Sequence, residues 1–444
     1  MVPPVTTQSA PILSALCALV FLAFGAALPA QFGANYRDDA IRYGSHTTHD
    51  KIAKLQQGIK AGKVNLRFDD RTGYLPALLA HLSVPVTSQT LVFSKTSFQI
   101  HKIAPGNPRA VYFGDEVYVG YVPTGSVLEI TAMDAQRGPI FYTLDQTQAA
   151  KPKIVRRTSD CLTCHGGSRT ANWPGHLIRS VYTKPTGDIE TRTGSFVTTQ
   201  TSPFEKRWGG WYVTGTHGTM RHMGNSKVTD STLPVKLDLE KGANLTDLSS
   251  RFPTRQYLSP HSDIVALMVL EHQTEMHNLI AQATYRVRVA LHRQRSKNRI
   301  LKLPLEQIDQ HTTQIIRDAA SKVLEYMLCK NEQTFPSPIR GTSKFSDEFS
   351  ALGPKDPKGR SLRELDLNKR LFRYPCSYLI YSPSFDAMPK QVLERVYLRL
   401  WRILTGMIGR HSWRLTRNQR QAILDILLAT KHNLPASFKP TVVR

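Results

Sequence analysis

The hydrophobic pattern changes period along this chain. In residues 38–85 apolar side chains recur at helical spacing, first Ile52, Leu55 and Ile59, then Leu75, Leu78, Leu79 and Leu82, which predicts short helices. Between 90 and 145 the pattern shifts to short β-branched and aromatic runs: Leu91-Val92-Phe93, Val111-Tyr112-Phe113, Val117 to Tyr121, Val127 to Ile130 and Ile140-Phe141-Tyr142. Gly114-Asp115, Pro123-Thr124-Gly125 and Arg137-Gly138-Pro139 punctuate them, as in an antiparallel meander. Residues 166–226 are rich in Gly, Trp, Thr and His, and read as loops with short strands. From 261 to 294 a single stripe returns at helical spacing (Ile264, Met268, His272, Met276, Leu279, Ala283, Val287 and Leu291), with Ser259-Pro260 as its start signal. Such a helix would be about 50 Å long, and a kink is expected in it. Further helices are predicted over Leu305–Cys329, 389–406 and 417–430, with a Pro/Gly/Ser-rich loop over 334–361. The fold class is therefore α+β: an antiparallel meander in the N-terminal half, a loop-rich middle and a mostly helical C-terminal half.

The first 30 residues stand apart. An uncharged apolar run from Ala10 to Ala30 ends in small residues, and Ala27 or Ala30 is a fitting cleavage point for a secretory signal. The first basic residue is Arg37, and the run approaches the roughly 20 residues that span a bilayer, so an uncleaved N-terminal anchor is the alternative. Either way the body of the protein is expected to be periplasmic or otherwise exported. Cys17 then leaves with the signal or sits in the membrane. A hydrophobic fraction of 41% supports buried cores. The formal net charge of +24 gives the exported surface affinity for an acidic redox partner protein or an anionic membrane, although a plain solvated face has the same composition. No zinc finger, RNA-recognition signature or helix-turn-helix is present, which argues against a nucleic-acid partner. Membrane contact is expected only through an uncleaved N-terminus or the basic surface.

The chemistry of the chain concentrates in Cys161-Leu162-Thr163-Cys164-His165, a C-x-x-C-H attachment motif for c-type haem. Residues three apart on a helical turn share a face, so both thiols can add to the vinyl groups of one porphyrin. The next residue, His165, then lies under the ring as the proximal iron ligand. A thioredoxin-like pair needs no adjacent histidine, and a zinc ribbon needs a second close pair, whereas Cys17, Cys329 and Cys376 are isolated. One covalent haem c is thus the expected cofactor.

The second axial position decides between electron transfer and ligand chemistry. Trp208 to Gly224 follows the motif at a distance typical of a distal ligand and carries His217, Met220, His222 and Met223 among tryptophans and glycines. Met223 is the first choice, with His222, His217 and Met220 as alternatives. A second constellation, Glu271, His272, Glu275 and Met276, lies on the predicted long helix. It reads better as core packing, since His272 and Met276 fall on the apolar stripe and no second Glu-x-x-His copy exists for a di-iron bundle. Cys329 and Cys376 either pair in an oxidising compartment or remain free buried thiols.

The haem motif resembles that of the c-type cytochromes. More broadly, Gln89 to Gln99, Trp208 to Asn225, His261 to Asn278 and Arg360 to Asp386 resemble segments of large, uncharacterised, exported bacterial proteins with a cytochrome c domain. That resemblance implies a single mono-haem protein of this size and no known substrate. The short helix that customarily precedes the motif in small cytochromes is missing. The expected organisation is a signal peptide or anchor over 1–30, a helical segment plus meander over 31–150, a haem c-binding region over 151–230 and a mostly helical region over 231–444 packed with the rest. The expected function is electron transfer through the haem iron rather than catalysis, because no catalytic acid–base set stands out. The alternative is a haem enzyme or sensor whose open or labile distal position binds peroxide or a nitrogen oxide.

Overall fold

The alternating runs of the N-terminal half pair into one antiparallel sheet. Its strands are β1 (Thr90–Val92), β2 (Arg109–Phe113), β3 (Val117–Tyr121), β4 (Val127–Asp134), β5 (Gly138–Asp145) and β6 (Ile154–Arg157). The computed structural model describes residues 36–408 and 413–438, so the segment read as a signal or anchor, with Cys17, lies outside the described residues. Two further short strands, β7 (Arg179–Val181) and β8 (Ser195–Val197), form a separate hairpin, and β9 (Trp211–Tyr212) joins the main sheet beside β1. The seven-stranded order is β6-β5-β4-β3-β2-β1-β9. Two of its strands departed from the sequence pattern. The basic stretch before the haem motif forms β6, because Arg156 and Arg157 pair across to Tyr142 and Phe141 and reach solvent at the sheet edge. The donor-rich middle supplies β9 at the opposite edge.

Helices α1 (Lys51–Lys60) and α2 (Leu75–Leu82) lie where the N-terminal spacing predicts, with the Asp50 carboxylate capping the start of α1. The C-x-x-C-H motif is one turn, α3 (Leu162–His165). The long helix α4 (Ile264–Ile300) runs 37 residues, started by the Asp263 side chain accepting from the Val265 and Ala266 amides. Its first half is buried on nearly every side, which explains how it carries polar groups such as Glu271 and His272 inside the core. It packs against α5 (Gln310–Met327) and against β5. Short α6 (Phe345–Ala351) and α7 (Pro383–Asp386) interrupt the loops, and α8 (Lys390–Leu404) and α9 (Arg417–Thr430) close the C-terminal half. The fold is α+β, with the strands in the N-terminal half and helices dominating the C-terminal half. The described residues cluster as one unit, so the meander, the motif region and the helices share a core. No helix among the described residues is long and apolar enough to cross a membrane.

Candidate haem site

The turn α3 sets the local geometry. His165 N–H donates to the Cys161 carbonyl at 2.9 Å, and the Cys164 amide donates to the same oxygen at 3.3 Å. This single turn brings Cys161, Cys164 and His165 to one wall of a cavity of about 410 Å3, a size typical of small-molecule and cofactor pockets. The sheet lines it too, through Val111, Tyr118, Thr131 and Phe141, and Ile178 and Trp211 add apolar surface. Both thiols are free. Burial pushes the Cys161 thiol up to about 11, and the carboxylates of Glu129 and Asp160 add to the rise. A redox-active C-x-x-C pair works the other way, with a thiol lowered toward neutrality, so the environment does not suit thioredoxin chemistry.

His165 is oriented by its second nitrogen. Nδ1 lies 2.8 Å from the Gly175 carbonyl, and the Gly175 amide donates back to the His165 carbonyl at 2.8 Å. With Nδ1–H donating, the lone pair is on Nε2, the arrangement metal-ligating histidines usually adopt. Burial first lowers the affinity of His165 for a proton, which keeps the ring neutral and able to ligate. Gly175 cannot easily be replaced. A Cβ there would meet the Asn278 side-chain oxygen at 2.9 Å and Thr170 at 3.0 Å. The next residue, His176, is held through its backbone: its amide donates to Asn278 Oδ1 at 2.7 Å, and Asn278 Nδ2 donates to its carbonyl at 3.0 Å. The His176 ring is buried on the cavity wall, and neither ring nitrogen has a hydrogen-bond partner. Burial lowers its pKa well below the usual histidine value, and the neighbouring rings of His277 and His165 act in the same direction.

The cavity carries cations as well. Lys95 pairs with Asp188 at 2.9 Å and Arg109 with Glu129 at 2.8 Å. Arg179 also lines the cavity; its Nε is buried without an acceptor, and its side chain has no ion pair among the described residues. Two thiols, an oriented imidazole, an apolar slot and an unpaired guanidinium suited to a carboxylate match what a c-type haem and its propionates require.

The four donors read in 208–223 sit elsewhere. None of His217, Met220, His222 and Met223 lines this cavity. His217 has both nitrogens occupied: Nδ1 meets the Met220 carbonyl at 2.8 Å and Nε2 accepts from the Asn244 amide at 3.0 Å. His222 is enclosed by Trp208, Phe204 and His217, with ring centroids 5.1, 5.8 and 4.7 Å away, and its buried Nδ1 has no hydrogen-bond partner. Met220 is a core side chain. Met223 is buried, and its sulfur accepts from Ser180 Oγ at 3.5 Å. The physical reason is the fold of the loop. Trp208 is fully buried and its indole donates to Glu271 Oε1 at 2.8 Å, which draws this segment against α4.

The second constellation is structural. His272 Nδ1 meets Gln200 Oε1 at 2.7 Å and its Nε2 meets Ser377 Oγ at 2.8 Å, while Glu271 pairs with Arg207 at 3.1 Å and Met276 is core. Cys329 and Cys376 are buried free thiols. No group of three or more His, Cys, Asp or Glu among the described residues is placed to hold a metal ion by protein ligands alone. Sequence reasoning missed His176 and Arg179; the one available signal was that His176 is the first histidine after the motif. Comparison with known proteins finds no matching family model, no matching curated protein and no matching solved structure.

Proposed function

We propose that this chain is an exported mono-haem c-type cytochrome that transfers electrons, with haem bound covalently by Cys161 and Cys164 and axially by His165. One observation carries the reading: the two thiols and His165 converge on one wall of the 410 Å3 cavity, with His165 Nδ1 committed to the Gly175 carbonyl. When bound, haem supplies an iron that cycles between Fe(III) and Fe(II). The chain's own residues do the rest. Cys161 and Cys164 fix the ring, Gly175 sets the tautomer of His165, the sheet face excludes water, and Arg179 neutralises carboxylate charge. The apolar run before residue 31 supports export, and the net charge of +24 supports an acidic redox partner.

Covalent attachment is tested in exported protein matured with a haem-ligation system. The haem should survive acid–acetone extraction and denaturing electrophoresis. Stoichiometric zinc with no haem would overturn the proposal. A second reading keeps the haem but leaves the distal position open or labile for peroxide or a nitrogen oxide. The observation in its favour is that none of the four donors in 208–223 reaches the cavity. Electron paramagnetic resonance of the resting protein separates the two: a low-spin ferric signal supports the carrier, and a high-spin signal the enzyme or sensor.

A further inference from the structure

The register of the sheet sets the spacing between two imidazoles on the cavity wall. Thr131 of β4 stands opposite Tyr118 of β3 on one side and Phe141 of β5 on the other. Residues directly opposite on neighbouring strands share a face, so the three side chains form a row. All three line the cavity. The His165 ring rests on Phe141, with centroids 4.9 Å apart, and the His176 ring rests on Tyr118, with centroids 4.3 Å apart. The two imidazoles therefore stand over the strands that flank β4. Their aromatic supports are two strand spacings, about 10 Å, apart. The slot between them lies above Thr131.

The other donors around the slot are committed. The Tyr118 hydroxyl lies 2.8 Å from His277 Nδ1 and accepts from Gln273 Nε2 at 2.8 Å. The Tyr142 hydroxyl donates to Asp50 Oδ2 at 2.6 Å, and Lys95 is paired with Asp188. No methionine lines the cavity among the described residues. His176 differs from all of these. Its ring is buried with both nitrogens unpartnered, and its backbone is clamped on both sides by Asn278. A buried imidazole without a partner costs free energy, and native folds keep such groups mainly where they serve a site.

We infer that His176 is the second axial ligand of the haem iron, opposite His165. The inference rests on the covalent haem proposed above and deepens it by assigning the distal position to the strand-supported histidine rather than to the 208–223 loop. A protein with two imidazole ligands has no vacant position at rest, which is the property a carrier needs.

The test uses ferric holoprotein of the full chain and its His176→Ala, His176→Met, His222→Ala and Met223→Ala variants. Wild type should be low-spin with no near-infrared band from iron–sulfur bonding. His176→Ala should become high-spin, bind carbon monoxide when reduced, and return to low-spin when imidazole is added. His176→Met keeps a donor in place and should gain the iron–sulfur band, so it reports even where the alanine variant folds poorly. His222→Ala and Met223→Ala should leave the spectrum unchanged. The inference is overturned if the His176→Ala and His176→Met holoproteins keep the wild-type spectrum, if either loop variant opens the iron, or if wild type shows the iron–sulfur band or a high-spin resting state. Wild type that carries no haem at all defeats instead the proposal on which the inference rests.

Discussion

Two segments of this chain are rich in iron-binding side chains, and the fold treats them oppositely. Residues 208–223 hold two histidines and two methionines, yet His217 has both nitrogens hydrogen-bonded, Met223 meets a serine hydroxyl, and His222, whose Nδ1 has no partner, is packed between Phe204 and Trp208 away from the cavity. Residues 161–179 hold as many, in Cys161, Cys164, His165 and His176, and there unpartnered polar atoms line a cavity: both nitrogens of His176 and Nε of Arg179. The difference teaches that donor density does not mark a site. A site is marked where the fold brings donors to a cavity and then declines to satisfy them. The same contrast explains His272, which falls in a cluster of Glu and His but is hydrogen-bonded through both nitrogens and buried in the core.

The largest effect should come from breaking the motif side of the comparison. Cys161→Ala with Cys164→Ala should abolish covalent haem, read as loss of haem staining after denaturing electrophoresis, while each single change leaves a weakened, singly linked haem or none. Retention of full covalent haem in the double variant would show that the attachment lies elsewhere.

The loop side should break in stability rather than in spectrum. Trp208 is fully buried and hydrogen-bonded to Glu271. Trp208→Ala should destabilise the protein by about 3–5 kcal/mol, the usual cost of emptying such a site, measured by urea unfolding. The iron spin state of the folded variant should not change. A spin-state change at unaltered stability would reverse the roles assigned to the two segments.

A smaller effect sharpens the assignment of His272 to the core. Burial lowers its pKa to about 3, with the nearby His277 ring adding to the drop. Its ordinary value is about 6.5. The unfolded chain therefore binds a proton below about pH 6.5 that the folded chain refuses until near pH 3. The stability contributed by the neutral ring is present above pH 6.5 and is lost as pH falls, by at most about 1.4 kcal/mol per pH unit. His272→Gln removes this titration. The stability gap between wild type and variant should shrink between pH 7 and pH 5 in urea unfolding, and a gap that is constant or widens would contradict the burial of a neutral ring.

The smallest effect concerns the surface. Reduction by an acidic partner should slow as salt rises, because exposed charges are screened beyond about 8–10 Å near physiological ionic strength. Stopped-flow rates that do not respond to salt would remove the basic surface from partner steering.

Much of the architecture was legible because its signals are local. Ile52, Leu55 and Ile59 share a face within a few turns, and the runs from Leu91 to Tyr142 alternate within single strands, so α1, the meander and the long α4 followed from periodicity. The edges were harder to read. β9 comprises only Trp211 and Tyr212, and its place beside β1 is fixed by pairing to Leu91 and Val92, over a hundred residues earlier. β6 reads as a run of charge and becomes a strand because Thr143 and Leu144 offer Val155 and Ile154 a partner.

The same division runs through the candidate site. The C-x-x-C-H spacing by itself determined which thiols and which imidazole belong together, since a single helical turn places them and needs no distant contact. Which group faces them was decided only by tertiary structure. His176 reaches the cavity because Asn278 of α4 holds its backbone and Tyr118 of β3 supports its ring. The loop histidines are removed from the cavity because the Trp208 indole and the Arg207 guanidinium both bind Glu271 on that same helix. Those contacts join residues far apart in the chain, and no spacing of residue types along a sequence encodes which of several equally suitable donors the packed core will leave without a partner.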